Sequence, residues 1–189
     1  MKKLEELPDN HLLQLVEKGD KQAFGCLYQR YLKDIYRFVF VKTGDKGIAE
    51  DITEDTFIRT WERVIRIKSN QRSISHVRAW LYKTANNLVI DHYRKRKPVP
   101  LLDKIIRSNT TSPEEVTEFN EMSETLMESI RALKPKFQQI IILRFINELS
   151  HEETASIMKI SAANSRVLQF RALKNLKKSL SKKGGQYEK

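Results

Sequence analysis

The chain has 189 residues, 40% of them hydrophobic, which suits one medium domain or two small ones with buried cores. Lys and Arg number 35 against 24 Asp and Glu, so the net charge of +11 favours a polyanionic partner, either nucleic acid or an anionic membrane surface. The single cysteine, Cys26, excludes an internal disulfide. No run approaches the roughly 20 apolar residues of a membrane span, so a cytoplasmic protein is expected.

Two long amphipathic stretches open the chain. From Asp20 to Lys42 apolar residues recur at three-and-four spacing, with Asp20 placed as the N-cap of a helix. Thr43-Gly44-Asp45 breaks the pattern, and a second stripe of the same period then ends near Arg66. These patterns predict two consecutive helices.

A third apolar stripe begins at Val77 and runs into the basic block Arg94 to Lys97, where Pro98 and Pro100 stop the helix. Together with a shorter helix around residues 10–17, the three stretches predict an N-terminal bundle of about four helices. Its core is expected to include the aromatic residues on the stripes: Phe57, Trp61 and Trp80.

Residues from about 97 to 113 carry three prolines and a Ser/Thr/Asn tract, which predicts a flexible linker. Fully extended, such a segment reaches roughly 50 Å at about 3.3 Å per residue, more than one DNA turn of about 34 Å. The following segment is acidic up to Arg131, whereas residues 161–183 are basic and contain no acid, so the charge is strongly polarised.

The C-terminal part contains a helix-turn-helix pattern. An apolar helix over residues 137–143 is followed by Ser150, an N-cap that forms a capping-box pattern with Glu153. After the turn at residues 159–161, Ser161 caps a long basic helix. Its apolar positions are expected to face the core: Val167, Leu168, Leu173, Leu176 and Leu180.

The start of that last helix suits insertion into the major groove of DNA. Asn164 and Gln169 can pair with adenine and Arg166 or Arg171 with guanine, while the lysines that follow are placed for phosphates. A basic amphipathic helix can also be a solvated surface helix. The capped helix and turn in front of it favour DNA binding.

These segments, in this order, resemble the extracytoplasmic-function class of bacterial sigma factors. AEDITEDTFIRTW (Ala49 to Trp61) is similar to the family's polymerase-binding helix, and HVRAWLYKTANNLVIDHYRKRKP (His76 to Pro98) to its promoter-melting and downstream-element helix. LKPKFQQIIILRFINELSHEETASIM and ISAANSRVLQFRALKNLKK (Leu133 to Lys178) resemble its upstream-element helix-turn-helix. The resemblance covers nearly the whole chain.

The resemblance implies an all-α protein of two small helical domains joined by a flexible linker, the second a four-helix helix-turn-helix domain. The first domain is expected over residues 1–97, with core polymerase binding, downstream-element recognition and melting. The linker is expected over 98–113, the upstream-element domain over 114–183 and a tail over 184–189. The implied function is to bind core RNA polymerase and direct promoter recognition, DNA melting and transcription initiation.

The resemblance also assigns residues to surfaces. The like-charge pairs Glu50/Glu54 and Asp51/Asp55 each disfavour an isolated helix by about 0.2–0.5 kcal/mol, and docking on the clamp helices of the polymerase largest subunit would explain them. That surface comprises Asp51, Glu54, Asp55 and Arg59. The downstream-element set is Lys68, Asn70, Gln71, Arg72, Ser73, Asn86, Tyr93, Arg94, Lys95 and Arg96. The upstream-element set is Ser161, Asn164, Ser165, Arg166, Gln169, Arg171, Lys174, Lys177 and Lys178.

The implied partners are core RNA polymerase, through the clamp helices and the flap of its second-largest subunit, promoter DNA, and an anti-sigma protein. We expect no cofactor, no metal and no enzymatic activity, because the sequence has no P-loop, dinucleotide fingerprint or metal-ligand cluster. The first alternative is a stand-alone helix-turn-helix transcriptional regulator that binds duplex DNA without polymerase. The second is a helical adaptor or anionic-membrane protein that is indifferent to DNA sequence.

Overall fold

The computed structural model describes residues 4–66, 74, 76–95 and 124–184, with side chains described as far as Ser181. Every regular element in these ranges is a helix, which confirms the all-α fold class. None of the helices in this part of the chain is long and apolar enough to cross a membrane. The 98–113 linker lies outside the described residues.

The N-terminal bundle comprises the described residues up to Lys95. A short 3-10 turn, Leu4–Glu6, precedes its four α-helices, which pack against one another: α1 (Asp9–Glu17), α2 (Lys21–Thr43), α3 (Lys46–Ile65) and α4 (Val77–Lys95). The predicted helices are therefore confirmed within a residue or two at their ends.

The ends of α2 and α3 follow from their capping residues. The Asp20 carboxylate accepts hydrogen bonds from the amides of Gln22 and Ala23 at 2.8 and 3.1 Å, which fixes the start of α2. Gly44 ends it with a φ of 70°, a left-handed conformation that glycine adopts without steric cost. Asp45 then caps α3 by accepting from the Ile48 amide at 3.0 Å.

The core of the N-terminal bundle is aromatic. Phe38 and Tyr82, both fully buried, meet edge to face with ring centroids 5.2 Å apart, a favoured geometry for aromatic pairs. Phe57 is buried, while Trp61 and Trp80 are half-buried and packed on the core. The assignment of these three aromatic residues to the core is thus confirmed.

The C-terminal domain, residues 124–184, also has four α-helices: α5 (Glu124–Arg131), α6 (Pro135–Ile141), α7 (His151–Met158) and α8 (Ala162–Gly184), with a π-helical segment (Ile142–Ile146) continuing α6. The capping box of Ser150 and Glu153 is formed in full. Ser161 accepts from the Asn164 amide at 3.1 Å, so it caps α8 as predicted.

The predicted core face of α8 is partly wrong. Leu176 is buried and Leu168 and Leu180 are half-buried, but Val167 and Leu173 are 48% and 41% exposed. The buried face instead runs through the small residues Ser165 and Ala172, both at 0% exposure. Small side chains let α8 approach α6 and α7 closely, so the helix is rotated from the orientation that its large apolar residues alone would select.

The two helical units pack against each other, so that buried apolar residues form one continuous cluster across both. In this domain interface α4 contacts α7, while α2 contacts α5 and the π-helical segment. Polar contacts between described residues that cross it include the Arg78–Glu153 ion pair, Arg131 Nε donating to the Val41 carbonyl at 3.3 Å, and Asn147 Nδ2 donating to the Asp34 carbonyl at 3.0 Å.

Candidate nucleic-acid and protein interfaces

An exposed, predominantly acidic stripe lies along α3. Its opposite face is buried through small and apolar residues, including Thr56 and Thr60, whose hydroxyls donate to carbonyls one turn earlier at 2.7 Å. Those hydrogen bonds let threonine sit in the core without an unsatisfied hydroxyl. The acidic stripe is formed by four exposed residues at three-and-four spacing: Asp51, Glu54, Asp55 and Arg59.

The basic end of α4 carries three of the four described members of the downstream-element set. Arg94 and Lys95 are exposed, and Arg94 also pairs with Asp91 at 3.2 Å. The Tyr93 ring is 48% exposed, with its hydroxyl 3.5 and 3.4 Å from the carbonyls of Lys42 and Thr43. Six members of the set fall outside the described residues: Lys68, Asn70, Gln71, Arg72, Ser73 and Arg96.

Asn86 is half-buried, and a buried lysine donates a hydrogen bond to its side chain. Lys42 is only 7% exposed, and its Nζ donates to Asn86 Oδ1 at 2.9 Å. Burial lowers the pKa of Lys42 to about 8. Because an ammonium group can only donate, the amide oxygen of Asn86 must face inward, leaving its NH2 group as the polar end available to a partner. The next residue, Asn87, is exposed.

The outer face of α8 brings most of the upstream-element set together. The exposed members are Ser161, Asn164, Arg166, Arg171, Lys174, Lys177 and Lys178. Arg166 Nη2 lies 3.4 Å from Glu152 Oε1 on α7, so the glutamate of one helix orients the arginine side chain of the other. The positions agree with a recognition helix that presents its start to a groove and its later lysines to phosphates.

Two members of that set face inward. Ser165 is fully buried and its hydroxyl is 2.9 Å from His151 Nδ1, so the expectation that it contacts DNA is wrong for this geometry. Gln169 is half-buried, with its Oε1 accepting from Arg144 Nε at 3.0 Å. The Ser165 hydroxyl and the Gln169 amide oxygen therefore both bond within the protein and do not point at DNA. Both residues instead tie α8 to the preceding helices.

Phe170 was missed in the sequence because a phenylalanine on an amphipathic helix suggests core. It is 69% exposed, one turn after Arg166 and next to Arg171. An exposed aromatic ring on a basic face can contact the C5-methyl group of thymine. The sequence did contain a signal: Phe170 is not three or four residues away from the buried Ala172 or Leu176, so it lies on a different face of the helix.

At the junction between α7 and α8, His151 lies near two positively charged side chains. Burial lowers the pKa of His151, and the positive charges of Arg144 and Arg166 lower it further. A neutral imidazole can accept or donate at Nδ1, which suits its hydrogen bond with Ser165. The contact joins the start of α7 to the first turn of α8.

Two family descriptions match the chain. Residues 27–99 match Sigma-70 region 2, and residues 123–176 match Sigma-70, region 4. The first match contains the acidic stripe and the basic end of α4. The second contains the helix-turn-helix and most of the exposed basic face of α8.

Several curated proteins named as ECF RNA polymerase sigma factors are similar to the chain. SigM of Bacillus subtilis is 35% identical over 156 residues, covering 80% of this chain and 91% of SigM. SigW of the same organism is 30% identical over 177 residues, covering 87% and 92%. BldN of Streptomyces coelicolor is 32% identical over 176 residues, covering 89% of this chain but 66% of BldN.

Solved structures share the fold. CnrH, solved in complex with the cytosolic domain of CnrY, aligns with a TM-score of 0.66 at 20% identity, covering 92% of this chain and 97% of CnrH. The sigma factor RpoE, solved with the anti-sigma factor NepR from Bartonella quintana, aligns with a TM-score of 0.61 at 20% identity, covering 84% and 96%.

Proposed function

This chain belongs to the ECF family of RNA polymerase sigma factors, which bind core polymerase and direct promoter recognition, DNA melting and transcription initiation, and we propose that its two helical units divide that work. Residues 1–97 bind polymerase and the downstream element, and residues 114–183 bind the upstream element. One observation supports this division of roles between the two units: the exposed acidic stripe on α3 is separate from the exposed basic faces on α4 and α8.

The acidic stripe docks on the clamp helices of the polymerase largest subunit. Acidic side chains would gain nothing from facing DNA, whereas a protein surface with basic groups complements them. Asp51, Glu54, Asp55 and Arg59 share one exposed face of a rigid helix, so they can bind as a unit. The C-terminal domain contacts the flap of the second-largest subunit.

The basic end of α4 binds the downstream element. Arg94 and Lys95 contact phosphates, and Tyr93 offers an exposed ring to an unstacked base. The 68–73 segment is proposed to hold a flipped base, on the resemblance alone. DNA opening then follows from tighter binding to the melted strands than to the duplex, and the catalysis belongs to the polymerase. We therefore assign no enzymatic step to this chain.

The exposed face of α8 reads the upstream element. Arg166 and Arg171 suit guanine, Phe170 suits a thymine methyl group, and the lysines farther along suit phosphates. Binding through these groups falls steeply with salt because each neutralised phosphate releases counterions. The site of action is the cytoplasm, where polymerase and chromosome meet.

RpoE was solved with an anti-sigma factor, NepR. We propose the same kind of restraint here, an anti-sigma protein that covers the polymerase-binding and DNA-binding faces. Such a partner would have to complement both the acidic stripe on α3 and the basic face of α8.

The decisive experiment is in vitro transcription from a genomic promoter library with core polymerase and this chain. New, discrete start sites should appear with the wild type and disappear with Asp51→Lys/Asp55→Lys. A matched control, Glu5→Lys/Glu6→Lys, changes the net charge equally at exposed acids away from α3 and should keep the start sites. A wild type that yields no start sites but binds particular duplexes alone would instead support the stand-alone regulator.

A further inference from the structure

The C-terminal end of α2 lies against the part of α4 that carries the downstream-element set. Lys42, in the last turn of α2, is only 7% exposed, and its Nζ donates to Asn86 Oδ1 at 2.9 Å. The backbone carbonyls of Lys42 and Thr43 lie 3.5 and 3.4 Å from the Tyr93 hydroxyl. One short segment of α2 therefore contacts two members of the downstream-element set.

Lys42 occupies a site that suits an apolar side chain. The preceding residue, Val41, is fully buried, and the ammonium of Lys42 lies 5.1 Å from the centre of the buried Phe38 ring. A buried cation destabilises a fold unless it is paired or hydrogen-bonded. The helix end, the ring face and the Asn86 oxygen each offset part of that cost. Stability alone gives no reason for a lysine here, so its hydrogen bond to Asn86 is the feature to explain.

The ammonium decides which way the Asn86 carboxamide faces. An asparagine side chain has an acceptor oxygen and a donor NH2 group, and a half-turn of the amide exchanges them. Burial lowers the pKa of Lys42 to about 8, so at pH 7 the amine is protonated and can only donate. The amide oxygen is therefore fixed towards Lys42, and the NH2 group is left to face a ligand.

Exposed apolar and aromatic side chains adjoin Asn86 along α4. Ile90 and Tyr93 follow it by four and seven residues, so they lie on the same side of the helix, and they are 52% and 48% exposed. An exposed ring beside an apolar side chain forms a platform on which an unstacked base can lie. Because residues four apart on a helix are neighbours, a base seated against Ile90 places its edge at the Asn86 NH2 group.

A side chain that only donates distinguishes bases by the groups on their edges. Guanine and thymine present a keto oxygen that accepts a hydrogen bond, whereas adenine and cytosine present an amino group that donates. An unrestrained asparagine pairs with adenine by accepting from the amino group and donating to the neighbouring ring nitrogen. Lys42 holds the accepting oxygen away from DNA, so Asn86 keeps only the donating half of that pairing.

We propose that Lys42 is a positioning residue for base recognition: it holds Asn86 as a hydrogen-bond donor only, so that one position of the downstream element selects guanine or thymine against adenine. The consequence for DNA rests on the proposed sigma-factor function, but the orientation of Asn86 is a property of the free chain. Lys42 is too buried to contact the base itself and acts through Asn86.

The test variant is Lys42→Met, which keeps an unbranched side chain in the apolar site and removes the donor, so the Asn86 carboxamide is free to turn. The matched control is Lys18→Met, which removes one positive charge at an exposed position after α1. Asn86→Ala removes the proposed reader. Circular dichroism verifies folding, and Lys42→Leu takes the place of Lys42→Met if that variant does not fold.

The first readout is the base preference of the holoenzyme formed with core polymerase. Forked probes from a promoter found by transcription present the downstream element as a single strand, and each position is filled in turn with the four bases. At one position the wild type and Lys18→Met should bind guanine or thymine about tenfold tighter than adenine. Lys42→Met should lose that preference and leave the other positions unchanged.

The dependence on Asn86 separates positioning from a structural role. Asn86→Ala should remove the same preference, and Lys42→Met/Asn86→Ala should behave as Asn86→Ala does. The proposal is overturned if Lys42→Met weakens binding at every position alike and keeps its base preferences. It is also overturned if no position that responds to Asn86→Ala prefers guanine or thymine to adenine in the wild type.

The second readout is the NMR signal of the Asn86 side-chain carbonyl carbon in the free protein, assigned by its absence from Asn86→Ala. A hydrogen bond from a cation polarises a carbonyl group, so Lys42→Met should shift this signal and Lys18→Met should not. The same signal position in the wild type and in Lys42→Met would exclude the contact, whatever the chain does with polymerase.

The two readouts distinguish failure of this role from failure of the sigma function. If the chain supports no start sites with core polymerase, the proposed function fails and the role in base recognition fails with it, while the carbon signal still decides whether Lys42 holds Asn86. If start sites appear and the base preferences do not respond to Lys42→Met, the function stands and the positioning role fails.

Discussion

The two helical units differ in how they bury their apolar residues. The N-terminal bundle encloses large rings such as Phe38 and Tyr82 at 0% exposure. The C-terminal domain encloses aliphatic residues such as Ile140 and Ile142 but leaves Phe145 and Phe170 48% and 69% exposed. A unit of about 60 residues buries only about 60% of its unfolded surface. The smaller domain therefore has less stability of its own and depends more on the domain interface.

The largest expected effect comes from truncating one fully buried side chain in the core of each unit in turn. Ile142→Ala removes a fully buried side chain of the C-terminal domain and should cost about 2–5 kcal/mol, whereas Phe38→Ala should cost the bundle about 3–5 kcal/mol. Both tryptophans, Trp61 and Trp80, lie in the bundle. In Ile142→Ala we expect helical signal to be lost at lower denaturant than tryptophan fluorescence.

The matched variant Phe38→Ala should move the tryptophan transition instead. If both probes shift together in both variants, the two units unfold as one cooperative body and the comparison between them fails.

The next effect concerns the buried Lys42 of the bundle. Its pKa, lowered to about 8 by burial, is below that of a lysine in the unfolded chain, so between these values the unfolded state binds more protons. The free energy of unfolding should therefore rise as the pH increases above about 8, by up to about 3 kcal/mol. Urea denaturation of wild type and Lys42→Met between pH 7 and 9.5 measures this.

Lys42→Met should show a flatter pH profile and equal or greater stability at pH 7, although it also removes the donor to Asn86. A wild-type profile that falls over the same range would contradict the assignment of Lys42 as a buried, destabilised cation.

A smaller effect is expected at the cap of the helix-turn-helix. Ser150→Ala removes the hydroxyl that accepts from the Glu153 amide at 3.1 Å and should destabilise the C-terminal domain by about 1 kcal/mol. Ser156→Ala, at an exposed position of the same helix, is the control and should have little effect. Equal effects of the two substitutions on the denaturation midpoint would argue against the capping role.

The smallest effect is the direct coupling of Arg78 with Glu153, whose side chains are 36% and 42% exposed. A double-mutant cycle should give about 0.2–1 kcal/mol at pH 7. The backbone hydrogen bond from Ser150, followed by the charge of Arg78, holds the pKa of Glu153 below its usual value. The coupling is present above that usual value and should vanish as the pH falls through the lowered one. A coupling that persists in strong acid would exclude the carboxylate as its source.

The sequence predicted some of the charged surfaces better than others. The acidic stripe and the basic end of α4 were predicted because three-and-four spacing fixes which residues share a helix face. Ser165 was predicted to contact DNA and Phe170 was not predicted at all, because spacing in the sequence does not show which of two adjacent helix faces a neighbouring helix covers. The role of Lys42 as a donor to Asn86 joins residues 44 positions apart and leaves no periodic signal.

The sequence alone determined the helices, their caps and the order of the segments, because these depend on neighbours within about one turn of the chain. Asp20, Gly44, Ser150 and Ser161 act where their local patterns place them. Only the tertiary structure decided the rotation of α8 and the contact of the two units, through pairs such as Arg78 with Glu153, 75 residues apart. Such contacts depend on shape and desolvation over the whole fold, which no local pattern encodes.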